Sequence, residues 1–207
     1  MPSERKKVKI LALVLILGTG SLCIFISYPF LAGFDPAYGN PVLEFPIKDP
    51  GNVTDMTAFN TPDWGEPGVF HNGIDLVIHG NNATIVISPC NGIVRKIDVK
   101  TNPYAGNMLL SILIKVNYKW SVKLVLEPMG NSSALNQEQQ EKVLVEVGKK
   151  IMVGDDVAFL LDGDEYAHLH YMVMKQSSAI CPYQYSSTMA QGIFDNIATV
   201  TGELPCL

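Results

Sequence analysis

"NMLLSILIKVNYKWSVKLVLEPM", residues 107–129, decides the fold class. It contains two apolar, β-branched runs separated by the polar "NYKW", a pattern that reads as a β-hairpin. Working outward, the same grammar recurs. "TIVISP" (84–89) alternates and stops at Pro89. "GIVRKIDV" (92–99) is opened by the turn signal Asn91-Gly92. In "KVLVEVGKKIMVGDDVAFLL" (142–161), Gly148 and Gly154 punctuate short strands, and "HLHYMVMK" (168–175) reads as a further strand. Only "SSALNQEQQEKVL" (132–144) looks helical, with Ser132 or Ser133 as N-cap. The spacing predicts an all-β domain with one short inserted helix.

The N-terminus has a different composition. Ile10 to Gly33 carries no charged residue and is long enough to span a bilayer as a helix. It follows Arg5, Lys6, Lys7 and Lys9, which the positive-inside rule keeps in the cytoplasm. A cleaved signal peptide is the rival reading. Its apolar core is usually shorter, and "YPFLAG" is a poor cleavage site. The expected organisation is a cytoplasmic flank (1–9), a transmembrane anchor (10–33), a linker (34–59) rich in Pro, Gly, Asp and Asn, a β domain (60–180) and a C-terminal tail (181–207). This places the domain outside the cytoplasm on a single-pass anchor.

Beyond residue 9, 11 Lys/Arg face 19 Asp/Glu, a net charge of −8. No basic patch suggests nucleic acid. Cys90, Cys181 and Cys206 fall in the external part, where disulfides are allowed, although the sequence does not fix their pairing. Sequons stand at Asn52, Asn82 and Asn131.

The chain has four histidines. His168 and His170 lie two apart in a strand and therefore point the same way. His71 and Asp75 in "HNGID" share a face if that segment is extended. Two His and one carboxylate leave an open fourth position, the arrangement of catalytic zinc, and one histidine remains for proton transfer or oxyanion stabilisation. By spacing alone, H-x-H reads first as two ordinary residues on a solvated strand face and only second as a metal site.

"HNGIDLVIHGNNATIVISPCNGIVRKI" (71–97) and "VEVGKKIMVGDDVAFLLDGDEYAHLHYMV" (145–173) resemble the opening and close of the LytM/lysostaphin-type M23 zinc metallopeptidase domain, over roughly residues 60–175. The resemblance implies an antiparallel β-sandwich, or barrel-sandwich hybrid, with zinc in a groove across one sheet. It implies His71, Asp75 and His170 as zinc ligands and His168 as the catalytic histidine beside the bound water. It also implies Gly73 as a tight passage near the metal and a peptide or cell-wall peptide as substrate. His79 matches no family site.

Three departures accompany it. The family's further histidine, at the end of the second hairpin strand, is replaced by Glu127 in "LVLEPMG". The Gly-rich turn before H-L-H carries Asp162, Asp164 and Glu165, and Met172 stands in place of a Glu. Glu127 is open to three readings: general base, extra ligand closing the site, or exposed strand end of a domain that has lost activity. The functional expectation is a membrane-anchored zinc metalloendopeptidase. The alternative is a catalytically impaired domain acting as a binding or scaffold module in the cell envelope. A lipoyl-type carrier is the third class, but Lys149-Lys150 lack the turn context it needs.

Overall fold

The expected hairpin at residues 107–129 forms the middle of the main sheet. A computed structural model of the chain describes residues 39–207 except 63, 79, 81, 82, 131, 164 and 165, together with residues 18, 19 and 21. The expected anchor at 10–33 lies outside the described residues but for those three, as do His79, the sequons at Asn82 and Asn131, and Asp164 and Glu165. Among the described residues no helix is long and apolar enough to cross a membrane.

The strands in chain order are β1 (Val53–Thr57), β2 (Ile74–Ile78), β3 (Ala83–Ile87), β4 (Gly92–Thr101), β5 (Met108–Lys115), β6 (Trp120–Glu127), β7 (Lys150–Ile151), β8 (Asp156–Leu161), β9 (His168–Lys175) and β10 (Ser178–Ile180). Eight of them form one sheet in the order β1-β2-β9-β6-β5-β4-β7, with β10 also on β9, and every pairing is antiparallel. β3 and β8 form a separate two-stranded antiparallel sheet. The long strands alternate as their sequences demand. On β6, Val122, Leu124 and Leu126 are fully buried in the core, while Lys123, Val125 and Glu127 face the opposite side. β9 repeats this with Leu169, Tyr171 and Val173 inward and His168, His170 and Met172 on the other face.

The described residues between 39 and 207 contain two α-helices rather than the single inserted helix expected. The first, α1 (Ser133–Glu141), is the anticipated one; Ser132 is its N-cap, its hydroxyl accepting from the Leu135 N–H. The second, α2 (Thr188–Thr201), lies within the expected C-terminal tail, for which no helix is anticipated. Ser187 caps its start, and Gly202 ends it in the left-handed conformation at φ 81°. Ala190, Phe194 and Ile197 form its buried stripe, and the Phe194 ring meets Phe45 edge-on at 5.0 Å.

The stretch expected as a linker also belongs to the packed unit from Leu43 onward. Leu43, Phe45 and Ile47 are buried, and β1 is the edge strand beside β2. Cys181 and Cys206 are disulfide-bonded, and Cys90 is a buried free thiol whose pKa burial pushes up to about 12.

Candidate metal centre and its cleft

The site is built where β2, β9 and β6 lie side by side. Asp75 on β2 is paired with His170 on β9, which is paired with Val125 on β6. Two residues along, Val77, His168 and Glu127 form the next row on the same face. Residues two apart on a strand share a face, so Asp75, His168, His170 and Glu127 all project into one cleft of about 600 Å³.

His71 joins them from the segment just before β2. Its ring is 1% exposed, and Trp64 lies against it with ring centroids 4.3 Å apart. His71 Nδ1 lies 2.7 Å from the carbonyl oxygen of Ala58, which leaves Nε2 pointing at Asp75 Oδ1 (3.2 Å) and His170 Nδ1 (3.1 Å). His170 mirrors this arrangement. Its Nε2 is 3.0 Å from Asn72 Oδ1, and its Nδ1 is 2.7 Å from Asp75 Oδ1.

These outer partners set the chemistry. Ala58 O and Asn72 Oδ1 are acceptors only, so each takes the ring N–H and leaves the inner ring nitrogen as a lone pair. Two such lone pairs and a carboxylate then converge, with ligand atoms of His71, Asp75 and His170 within 4.8 Å of one another. Two neutral imidazoles plus one carboxylate is a zinc-type donor set, and without a cation a proton on an inner ring nitrogen takes its place, hydrogen-bonded to Asp75. Burial pushes the Asp75 carboxyl up, but hydrogen bonds from His170 and His71 and the charges of His170 and His168 outweigh it and hold Asp75 well below the usual carboxylate range. Asp75 is therefore ionised and available as a ligand.

Gly73 fits the same site. A Cβ there would lie 2.7 Å from His170 Cε1 and Nε2 and 2.9 Å from the Tyr171 carbonyl oxygen. Only glycine lets the backbone pass this close to the ligand ring.

His168 stands beside the trio without joining it. Its Nδ1 donates to the Tyr166 carbonyl oxygen at 2.8 Å. Its Nε2 faces Glu127 Oε1 at 3.5 Å and Asp75 Oδ2 at 3.8 Å. Burial lowers its pKa, but the hydrogen bond with Glu127 and the charges of Asp75 and Glu127 prevail and raise it to about 9. Glu127 is 8% exposed and held on its other oxygen by Asn107 Nδ2 (3.0 Å) and Asn102 Nδ2 (3.4 Å). Burial pushes its pKa up, and His168 and Asn107 bring it below its ordinary value.

Several solved structures resemble this one in part. They include a zinc-containing peptidase from Vibrio cholerae (20% identity, TM-score 0.46, covering 68% of this chain and 39% of that one). Helicobacter pylori Csd3 matches with 17% identity and a TM-score of 0.48, over 77% of this chain and 40% of its own. CbpA from L. salivarius REN matches with 14% identity and a TM-score of 0.41, over 76% and 98%. This chain thus spans about two fifths of the length of the first two. No family model matches the sequence, and no curated protein matches it.

Of the five residues expected in the site, His71, Asp75 and His170 form the converging trio, and His168 and Glu127 form a second pair at its edge. The reading of Glu127 as an exposed strand end is overturned: the carboxylate is buried and hydrogen-bonded. Nor does it close the ligand group, because its register partner is His168 rather than His170. The acidic loop is partly structural, with Asp162 Oδ2 accepting from the Gly80 N–H at 2.9 Å. The sequence did not point to Ala58, Asn72 or Asn107. Asn72 lies between His71 and Gly73 and had a local signal, being an amide inside a candidate ligand motif. Ala58 contributes only backbone, and Asn107 comes from the loop between β4 and β5, so neither had one.

Proposed function

We propose that the chain is an M23-type zinc metallopeptidase, anchored through residues 10–33, with its β domain outside the cytoplasm acting on cell-wall or envelope peptides. The observation that carries this reading is the convergence of His71 Nε2, Asp75 Oδ1 and His170 Nδ1 on one point at the floor of an open cleft, with His168 alongside. The Cys181–Cys206 disulfide supports an oxidising compartment.

His71, Asp75 and His170 would hold the zinc, which when bound supplies an acidic water and a Lewis acid for the scissile carbonyl. His168, fixed by Tyr166 on one nitrogen, presents its other N–H toward the cleft, where it can donate to the oxygen that gains charge. Glu127 does not replace the donor it displaces, since an ionised carboxylate only accepts. It acts through His168 by orienting the ring, with Asn107 locking the carboxylate in turn. Trp64 lies against the His71 ring at the cleft wall.

The test is zinc content together with hydrolysis of cell-wall peptides or oligoglycine by wild type and His168→Ala. One zinc per chain and a rate loss of about 10²–10⁴ in the variant are expected. Equal rates would sink the peptidase reading. The presence of Glu127 where the family has a donor favours a second reading, a zinc-binding scaffold, and zinc uptake without turnover in the wild type would support it.

A further inference from the structure

The cleft has a second polar feature besides the metal centre. Two residues along β6 from Val125, the partner of His170, stands Lys123. At 3.3–3.4 Å of rise per residue this is about 7 Å from the row that holds Asp75 and His170. Lys123 is half-buried on the cleft side, and its cross-strand neighbours are Met172 on β9 and Leu113 on β5. Neither offers an acceptor for an ammonium.

The carboxylates nearby are already engaged. Asp98 is paired with Lys96 at 2.8 Å and Lys100 at 3.5 Å. Glu127 is held by His168 and Asn107, and Asp75 by the two ligand histidines. Lys123 therefore makes no ion pair or hydrogen bond with any described residue. Burial lowers its pKa, the charges of Lys100 and Lys96 act the same way, and Asp98 and Glu127 only partly offset them. In a domain with a strong excess of acid, a half-buried ammonium lining a cleft with no partner among the described residues is a cost to the empty protein. An incoming anion would relieve that cost.

The geometry points to Lys123 as an anion subsite beside the metal centre, receiving a carboxylate of the bound peptide. The inference rests on the reading that the cleft holds peptide. In an extended ligand, side chains two residues apart are separated by about 7 Å. The carboxylate thus belongs to a residue within about two positions of the bond placed over the trio. Trp64, Phe70 and Tyr104 on the rim supply apolar surface for the rest of the chain.

Binding is measured by calorimetry on the zinc-loaded full chain in detergent, with three N-acetylated pentapeptides as probes. One is Ala-Ala-Glu-Ala-Ala with an amidated C-terminus, one replaces Glu with Gln, and one carries Gln and a free C-terminal carboxylate. Wild type is expected to prefer the Glu peptide to its amide twin by about tenfold or more, the scale of one charge-assisted contact. Lys123→Met should abolish that preference and Lys123→Arg retain it. If the free-acid Gln peptide shows the larger gain instead, and this gain is lost in Lys123→Met, the subsite takes a terminal carboxylate. A preference that persists in Lys123→Met means the carboxylate goes to the zinc, which overturns the subsite. No preference in wild type, or no detectable binding of any probe, overturns it equally. Because the readout is binding, failure of hydrolysis leaves this result intact, and failure of the subsite leaves the zinc-peptidase reading standing.

Discussion

The ligand rings are positioned by atoms that never touch the ligand point. Ala58 O fixes His71, Asn72 Oδ1 fixes His170, and Gly73 makes room for the His170 ring between them. Gly73→Ala tests the tightest of these constraints. The added methyl would sit 2.7 Å from the ring and 2.9 Å from a backbone oxygen, so the ring must move off the ligand point. Zinc affinity measured by competition with a chromophoric chelator is expected to fall about 10- to 100-fold, as for the loss of other ligand-orienting groups. Gly192→Ala is the control. It lies in α2, nothing stands within 4 Å of its added Cβ, and the affinity should not change. Alternation along a strand made His168 and His170 legible as one face, but it was the resemblance to the zinc-peptidase pattern that grouped them with Asp75 and with His71, which lies before β2. Their outer partners were not legible, because a backbone carbonyl has no sequence signature and an asparagine beside a histidine has many other uses.

At the level of elements, the role of Glu127 follows from register. The pairing of β6 with β9 sets Glu127 opposite His168. A slip by one residue would turn the carboxylate into the core, and a slip by two would set it against His170 as a ligand. Sequence reading places both strands but not their register, which is why three roles stayed open for this residue. The helix α2 shows a different limit. Its cap, its apolar stripe and its terminal glycine are all written in residues 187–202, but Thr, Ile and Val inside it argue for strand, and packing on β1, Phe45 and Tyr183 decides the matter.

That helix sits inside the loop closed by Cys181–Cys206, and the closing segment reaches the metal centre. Phe59 N–H donates to Pro205 O, and Leu207 N–H donates back to Phe59 O, each at 3.0 Å. Phe59 follows Ala58, whose carbonyl holds His71. Replacing Cys181 and Cys206 with Ser should lower stability by about 2–4 kcal/mol. It should also weaken zinc binding severalfold by loosening the Ala58 carbonyl. Denaturant melts and chelator competition read the two effects separately. A stability loss with unchanged affinity would mean that the tail and the ligand are not coupled.

For the whole molecule, the candidate metal centre joins parts of the chain that are far apart in sequence. His71 and Asp75 precede His170 by nearly the length of the main sheet, and β9, which carries His168 and His170, lies between β2 and β6 near its centre. In the metal-free protein these strands hold a buried carboxylate against two imidazoles, an arrangement that suits a cation and is available only when β2 and β9 are paired. An unfolded chain has no such site, so zinc bound to this trio would stabilise the fold by mass action. At a free zinc concentration of about 100 times Kd the gain is about 2.7 kcal/mol. For a domain of this size that corresponds to a rise in Tm of about 5–10 °C. The rise should be reversed by chelator and absent in His71→Ala. It should remain in His168→Ala, because His168 lies outside the converging trio. Scanning calorimetry on the three proteins with and without zinc decides this. A shift in His71→Ala equal to that of wild type would mean the metal binds elsewhere, and the ligand assignment would fall with it.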